Sequence, residues 1–358
     1  MTAESKGTRK GIMELPANHV RTSIGEFVPR RFLRNGHLQT LAGNFLPRKL
    51  QLPNPEARFI QVDPGRNDPD GRVVPPSQVL CHCHWQPDAS QRLTMLVVHG
   101  LEGSSASQYM LGNASRAWAA GCNVVRMNMR NCGGTEHLTP TLYHSGLSGD
   151  VEAVMQTLVA ERSLSAFALV GYSMGGNLVL KLAGDLAERA PGYLKAVVGV
   201  SPVIDLGPSA DALHLPRNRV YEWKFMRGLR ARFRRKAALF PELYSLKGIG
   251  PLRSVREFDD KITGPYSGFE DADDYYSRAA SARVIHKIAV PALILHALDD
   301  PFIRVTPGTY EAIRGNPEVM LIETRHGGHC AFLADANGYD GYWAEKMLLG
   351  FVLSSAGL

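Results

Sequence analysis

The feature of this chain that most directly indicates chemistry is a serine between two glycines, Gly-Tyr-Ser-Met-Gly at residues 171–175. A strand-like apolar run ends at this turn, and a helix-like segment starts directly after it. This context is typical of a nucleophile held in strained backbone geometry, where only glycine fits two residues away on either side. The hydroxyl of Ser173 would then project above the sheet, beside the positive end of a helix. The alternative is a tight Gly-rich turn with an incidental serine.

A nucleophilic serine needs a general base, and a Gly-rich turn at residues 324–329 offers His326 and His329. The turn follows the last predicted strand, so a histidine on it can swing back over the serine. We favour His329, because it lies beyond both glycines and directly before the C-terminal segment. His326 is the alternative, and either residue could instead be a solvated loop histidine.

The base in turn needs an orienting carboxylate. Because the expected chain order is serine, acid, histidine, this carboxylate should follow the strand that precedes the last one. There the sequence reads Leu-His-Ala-Leu-Asp-Asp-Pro-Phe at residues 295–302. The proline after Asp300 fixes the turn, so we expect Asp300 to orient the histidine and Asp299 to cap the turn through its own backbone. Asp205, which follows an earlier strand, is a more distant candidate.

Negative charge that develops on a substrate oxygen has to be held by two backbone N–H groups. We expect one from Met174, the residue after the candidate nucleophile. We expect the other from Leu101, in the turn His-Gly-Leu-Glu-Gly at residues 99–103. His99 itself we interpret as structural.

A Cys-His-Cys-His run at residues 81–84 has the residue types of a metal site, but its spacing argues against one. In a strand, alternate side chains point to opposite faces, so these thiols and imidazoles cannot converge on a tetrahedral zinc ion. We therefore expect no metal and no cofactor. Cys132 and Cys330 we interpret as small packing residues rather than nucleophiles.

The composition is that of an ordinary globular enzyme with a large core: 358 residues, 44% hydrophobic and 21% charged, with a net charge of +6. Much of the positive excess is local and no base-reading motif occurs, so we expect no nucleic-acid partner. No secretory signal is visible, and no run approaches the roughly eighteen apolar residues of a membrane span. Five cysteines, an odd and sparse set, indicate free thiols in a reducing compartment. We expect a cytoplasmic protein.

Apolar strands that alternate with helices predict an α/β fold with a mostly parallel central sheet and helices on both faces. Strands are predicted at residues 58–62, 78–85, 94–99, 122–129, 167–171, 195–200, 291–298 and 319–324. Helices are predicted at residues 108–120, 147–161, 175–190 and 342–352.

The alternation breaks down before the last two strands, where the chain is aromatic, basic and turn-rich. This pattern predicts a helical cap inserted over the active site. The chain then divides into an irregular N-terminal extension that packs on the core, a first core part, the cap and a second core part, at residues 1–50, 51–202, 203–285 and 286–358.

The cap contains a basic amphipathic helix at residues 223–240, in which Phe225, Leu229, Phe233 and Ala237 recur at helical spacing. One interpretation is a helix that packs its apolar side on the core and keeps its cations in solvent. The other is a surface that makes peripheral contact with anionic lipid.

Together these motifs resemble the α/β-hydrolase superfamily and, more narrowly, its YheT-like branch of abhydrolase-domain esterases and lipases. The resemblance runs from about residue 28 to the end, and its motifs lie at residues 33–40, 99–103, 129–134, 171–176, 299–301 and 327–330, with cap segments at 258–260, 268–269 and 274–277. It implies a triad of Ser173, Asp300 and His329 that acts on carboxylic esters, often with medium or longer acyl chains. One departure is Gly36, which stands where the family pattern has proline.

These residues predict a serine hydrolase that cleaves carboxylic esters, with medium acyl chains favoured, through an acyl-enzyme on Ser173. The same triad would serve an acyltransferase, an ester synthase or a thioesterase. A non-catalytic member of the fold that binds a lipophilic ligand is the competing class, and the intact set of Ser, Asp and His argues against it. The sequence predicts neither the oligomeric state nor the residues that bind substrate.

Overall fold

The apolar runs of the core form a central sheet in a computed structural model that describes residues 22–24, 27–46, 48, 50–67, 73–247 and 249–358. The strands within these residues are, in chain order, β1 (Thr22–Ile24), β2 (Glu56–Asp63), β3 (Arg66–Asn67), β4 (Val73–Val74), β5 (Ser77–His84), β6 (Leu93–Val98), β7 (Asn123–Met127), β8 (Ala166–Tyr172), β9 (Leu194–Val200), β10 (Ala292–Ala297) and β11 (Val319–Thr324).

The central sheet has the order β1–β11–β10–β9–β8–β6–β7–β5–β2, while β3 and β4 pair separately. β5 runs antiparallel to both of its neighbours, and the other pairs in the sheet are parallel. The predicted mostly parallel sheet is therefore confirmed, and each of the eight predicted strands is present.

Helices cover both faces of this sheet. Those in the described part of the chain are α1 (Gly36–Phe45), α2 (Gln108–Ala119), α3 (Ser148–Arg162), α4 (Met174–Leu186), α5 (Leu206–Leu213), α6 (Arg219–Leu239), α7 (Val255–Phe258), α8 (Gly264–Tyr266), α9 (Ala272–Ala279), α10 (Pro307–Gly315) and α11 (Trp343–Ser355). The four predicted helices correspond to α2, α3, α4 and α11. Across these ranges, no helix is both long and apolar enough to cross a membrane.

Two apolar cores, one on each face of the sheet, hold the layers together. Alternate residues of β6 enter opposite cores: Leu96 and Val98 pack in one, and Met95 and Val97 pack in the other. All six residues of β6 are buried, as expected for a central strand of a parallel sheet. The carboxyl ends of these strands therefore meet at one edge, where the candidate catalytic residues follow β6, β8, β10 and β11.

The N-terminal segment differs from our prediction, because its described part contains helix α1 rather than irregular chain alone. Asn35 caps this helix by accepting hydrogen bonds from the backbone N–H groups of His37 and Leu38. The buried residues of α1 are Gly36, Gln39 and Thr40, so its inward side is small and polar. No apolar stripe directed at the core was available to indicate the helix. Residues 1–21 of the predicted extension lie outside the described residues.

The predicted helical cap is confirmed: α5 to α9 lie between β9 and β10, ahead of the last two strands. These helices share an apolar cluster that includes Met226, Leu229, Phe233 and Phe258 and that also contains Phe302 from the core. A π-helical stretch, Asp259–Thr263, joins α7 to α8. We propose residues 203–285 as the limits of this cap.

Candidate active site

Ser173 lies on a sharp turn between β8 and α4, with a backbone φ of 54° and ψ of −116°. A non-glycine residue at positive φ is strained, and the surroundings have to hold it there. The Ser173 N–H donates to the Val200 carbonyl across 2.9 Å. A Cβ atom on Gly171 would overlap the Gly175 carbonyl, and one on Gly175 would overlap the Val98 carbonyl. The two glycines are therefore required by the close approach of backbone to backbone.

His329 and Asp300 form a buried pair, with 2.8 Å between His329 Nδ1 and Asp300 Oδ2. The other carboxylate oxygen of Asp300 accepts the backbone N–H groups of Phe302 and Ile303 at 3.1 and 2.9 Å. Burial raises the pKa of Asp300, but the His329 imidazole and the Ile303 N–H lower it by a larger amount. The net pKa therefore lies below its ordinary value. Asp300 is thus an ionised acceptor that can orient the imidazole.

The alternative residues occupy other positions. Asp299 Oδ1 accepts the Gly328 N–H at 2.8 Å, and Asp299 Oδ2 lies 3.5 Å from Nδ1 of the half-buried His326. Asp299 therefore holds the histidine loop through its side chain, which differs from the backbone cap that we expected. Asp205 accepts the Thr306 N–H at 2.8 Å and the Thr309 hydroxyl at 3.0 Å. That carboxylate anchors the start of α10.

Helix α1 packs against the histidine loop and stabilises it. We did not predict this contact from the sequence. The His329 N–H donates to Thr40 Oγ1 at 2.8 Å, and Gln39 both donates to the Leu333 carbonyl and accepts the Leu333 N–H. A Cβ atom on Gly36 would overlap the Asp299 carbonyl, so glycine fits this close approach. The motif at residues 33–40 could have indicated this contact, but the sequence alone did not place that motif in the fold.

The Leu101 and Met174 amides are both placed to receive negative charge. The turn at Gly100 packs against Ser173, since a Cβ atom on Gly100 would lie 3.0 Å from Ser173 Cβ. Within the described residues, neither the Leu101 nor the Met174 N–H donates a hydrogen bond. Two unused donors beside a candidate nucleophile are compatible with an oxyanion hole.

A partly buried ion pair from the cap holds the same turn. Arg232 Nε of α6 donates to Glu102 Oε1 at 3.0 Å, and the Tyr143 hydroxyl donates to the same oxygen at 2.6 Å. Glu102 follows Leu101 directly and has a positive φ of 58°. The cap helix thereby fixes the backbone of the candidate oxyanion turn. No local pattern indicated this contact, because 130 residues separate Glu102 from Arg232.

His99 lies below this turn and is fully buried. Its Nε2 atom accepts the Met129 N–H at 3.1 Å, and its Nδ1 atom donates to the Gly100 carbonyl at 2.8 Å. Burial lowers the pKa of His99 to about 4, so the ring is neutral and joins two loops. This position is the structural one that we expected.

A mostly apolar cavity of about 110 Å³ lies between the serine turn and the cap. Ser173, Leu101 and Met174 are on its wall, together with Phe302, whose ring centroid is 4.4 Å from that of His329. Within the described residues, the Ser173 hydroxyl makes no hydrogen bond, so it is free to face a substrate. The cap side of the cavity is formed by residues that include Phe225, Leu229, Phe233, Val255, Phe258 and Tyr276.

The Cys-His-Cys-His run lies on β5, where its side chains separate as strand geometry requires. Cys81 and Cys83 are buried in one apolar core. His82 Nδ1 is 2.7 Å from the Ser105 hydroxyl, and His84 Nε2 accepts from Arg126 at 3.3 Å. Among the residues that the structure describes, no group of three or more His, Cys, Asp or Glu could hold a metal ion.

The protonation of His329 leads to a prediction about pH. Burial alone lowers the pKa of His329, but Cys330 and the Asp300 carboxylate raise it more, so the net pKa lies above the ordinary histidine value. A general base works only when it is deprotonated, so we expect kcat/KM to rise with pH. The midpoint of this rise, the acid limb, should lie above the ordinary histidine pKa of about 6.5.

The measurement is kcat/KM for a soluble ester from about pH 5 to about pH 9, corrected for spontaneous hydrolysis. A wild-type limb at the ordinary histidine pKa would show that the neighbours of His329 do not raise its pKa.

The chain is similar to known hydrolases. A family model described as the alpha/beta hydrolase fold matches residues 94–336. The Escherichia coli (strain K12) protein described as "Putative esterase YheT" is 32% identical over 331 residues, which cover 91% of this chain and 93% of that protein. Mouse (Mus musculus) "Phospholipase ABHD3" is 30% identical over 260 residues, which cover 72% of this chain but 61% of that protein.

Solved structures agree at the level of the fold. The ferulic acid complex of Est1E from Butyrivibrio proteoclasticus superposes with a TM-score of 0.53 at 14% identity, covering 84% of this chain and 100% of the other. The Pyrococcus furiosus esterase Pf2001 superposes with a TM-score of 0.53 at 15% identity, covering 87% and 99% of the two chains.

Proposed function

The chain belongs to the α/β-hydrolase family, in its YheT-like branch of esterases and lipases, and from this premise we propose that it cleaves carboxylic esters through an acyl-enzyme on Ser173. The observation that carries the proposal is the buried Asp300–His329 pair, which occurs together with a serine in strained backbone geometry at the same edge of the sheet. A buried, ionised carboxylate that accepts one ring N–H of an imidazole stabilises that ring while its other nitrogen takes up a proton and returns it.

In the proposed reaction, His329 removes the proton of the Ser173 hydroxyl as Oγ attacks the ester carbonyl carbon. The carbonyl oxygen gains the negative charge and accepts the Leu101 and Met174 N–H groups. The imidazolium then gives its proton to the departing alkoxide, which leaves as the alcohol. Water, deprotonated by the same His329, attacks the acyl-enzyme and restores the free serine. Asp300 stays ionised and stabilises the imidazolium throughout.

The apolar lining of the cavity is the reason to propose that the acyl chain is the part of the substrate that lies under the cap. Most of its lining is apolar, so a hydrocarbon chain gains favourable burial there. Phe233 and Phe258 bound it on the cap side and limit the length of chain that enters. We therefore propose medium-chain acyl esters as the preferred substrates.

The experiment is a panel of p-nitrophenyl esters of increasing acyl length, with hydrolysis and alcohol transfer measured in the same reactions. We expect kcat/KM to reach its maximum at a medium chain length, and Leu229→Trp to move the maximum to shorter chains because Leu229 lines the cavity. One methylene less in an apolar pocket changes kcat/KM by about tenfold.

The matched control is Leu239→Trp, which places the same side chain on an exposed position at the end of the same helix. It should leave the length profile unchanged. Absence of turnover with any ester in the panel would contradict the proposed function and favour a non-catalytic, ligand-binding protein. Transfer to an added alcohol that exceeds hydrolysis would identify an acyltransferase instead.

A further inference from the structure

We propose that a face formed by α1 and the start of α6 docks on the surface of a lipid membrane that carries anionic headgroups. Six large apolar side chains on this face are between 43% and 81% exposed, and we call them the apolar patch: Phe32, Leu38, Leu41, Phe45, Val220 and Trp223. Exposed apolar groups that cluster in this way mark an interaction site.

Helix α1 has its apolar side directed away from the protein. Its inner residues Gly36, Gln39 and Thr40 contact the histidine loop, as described above. Leu38, Leu41 and Phe45 follow at intervals of three and four residues, so they share the opposite side of the helix. A helix that needed only to pack on the core would carry this pattern in reverse.

The first turns of α6 continue the same face. The His37 ring of α1 stacks on the Tyr221 ring of α6, with centroids 5.7 Å apart, and His37 Nδ1 lies 3.1 Å from the Tyr221 hydroxyl. Val220 and Trp223, one residue before and two residues after Tyr221 on the same helix, are exposed. Trp and Phe are the side chains that most favour the boundary between water and lipid.

Free cations surround the apolar patch. Just before α1 and around the first turns of α6, five exposed basic residues form no ion pair with any other described residue: Arg34, Arg217, Arg219, Lys224 and Arg227. In the later part of α6, by contrast, Arg232 and Arg235 bind carboxylates and Lys236 binds backbone carbonyls. The exposed basic residues of α6 that lack an ion pair with another described residue therefore lie mostly near its beginning, with Arg234 as the later exception.

The position of these cations costs helix stability, which argues for a role outside the fold. Arg217 and Arg219 lie at the N-terminus of α6, where the helix dipole disfavours positive charge. The only nearby acid within the described part of α6, Glu222, is buried and held by His214 and by the Val255 N–H. Nothing in this arrangement neutralises the surface, so it is complementary to an anionic one.

Charge also favours a membrane, rather than a second copy of the chain, as the partner that covers this face. A symmetric dimer through this face would bring two sets of five free cations together, which like-charge repulsion disfavours. An anionic bilayer neutralises the cations while it buries the apolar patch.

The face lies next to the proposed catalytic residues. From His37, aromatic rings lead inward through Tyr221 and Phe302 to His329, with centroid distances of 5.7, 5.5 and 4.4 Å. Docking here would hold the cavity close to the lipid phase. The docking itself does not depend on the proposed chemistry, and its test uses a variant without the nucleophile.

The test is co-sedimentation of the full-length Ser173→Ala protein with vesicles of phosphatidylcholine alone or with about one third phosphatidylserine. We expect binding only to the anionic vesicles, and we expect it to weaken as NaCl is raised. The double variant Phe45→Ser, Trp223→Ser should bind at least about tenfold more weakly. Neutralising Arg219, Lys224 and Arg227 with glutamine should weaken binding about fivefold for each cation.

The control is Phe59→Ser, which removes an exposed aromatic ring from β2 at the other edge of the sheet and should bind as the parent does. Circular dichroism shows whether each variant keeps its fold. Equal binding by the patch variants and the parent, or equal binding to both kinds of vesicle, would overturn the proposal. A dimer in sedimentation that the patch variants convert to monomer, without vesicle binding, would assign the face to a second copy of the chain.

Discussion

Replacing Ser173 by alanine is expected to lower kcat for ester hydrolysis by about 10⁵- to 10⁶-fold. The variant keeps the cavity, the Leu101 and Met174 amides and the Asp300–His329 pair, so it should still bind ester. It lacks the atom that forms the acyl-enzyme, and the residual rate would come from stabilisation of the oxyanion alone. Alanine fits this turn as well as serine does, since neither side chain branches at Cβ, so the fold should be retained.

The measurement combines steady-state hydrolysis with labelling by a fluorophosphonate probe, which forms a covalent bond only with an activated serine. Wild type should be labelled and Ser173→Ala should not. Ser209→Ala is the matched control, because Ser209 lines the same cavity and its hydroxyl hydrogen bonds to the backbone of Arg304. Labelling of Ser173→Ala at the wild-type level would exclude Ser173 as the nucleophile.

Replacing Asp300 by asparagine is the second large effect, with an expected loss in kcat of about 10⁴-fold. An asparagine at this position can still accept the Phe302 and Ile303 N–H groups. Its NH₂ group would face His329 Nδ1, however, and would stabilise the tautomer that carries its proton on Nε2. That tautomer cannot accept the serine proton. The missing charge also leaves the imidazolium without its partner.

Asp299→Asn is the matched comparison, because it makes the same chemical change one residue earlier. Asp299 accepts the Gly328 N–H, which an asparagine oxygen can also accept, so we expect a loss of no more than about tenfold. Kinetics should be measured with thermal unfolding of both variants, so that a loss of fold is recognised. An inactive Asp299→Asn beside an active Asp300→Asn would reverse the assignment of the acid.

Local geometry explains why the Ser173 turn and the central sheet could be predicted. The glycines at 171 and 175 are required by backbone atoms within a few residues or on the adjacent strand. Continuous apolar strands such as β6 indicate burial on both faces by their composition alone. The Asp-Asp-Pro and Gly-Gly-His turns were found for the same reason, because each is a short run whose backbone chemistry is visible in neighbouring residues.

The choice between Asp299 and Asp300 shows where such local inference ends. The proline favoured Asp300, but only the folded chain brings its carboxylate to His329 Nδ1, 29 residues away, while the neighbouring carboxylate holds the Gly328 N–H. Two adjacent aspartates have the same chemistry, and their side chains leave the backbone in different directions. Which one meets the imidazole depends on how two loops are placed on separate strands.

Helix α1 was missed because its inner side is small and polar and its outer side is apolar. Periodicity methods assume that apolar residues face the core. Thr40 and His329 lie 289 residues apart, and nothing in either segment by itself indicates that they meet.

The sequence alone therefore indicated the candidate chemistry of this chain, a proposed nucleophile, base and acid in that chain order, and it determined the layered fold that carries them. Those properties depend on residue type and on spacing along the chain. The tertiary structure decided which carboxylate is paired, how Arg232 fixes the turn at Glu102 and which cations of α6 stay free. These outcomes depend on distances between segments far apart in the chain, which exist only once the strands and helices have packed.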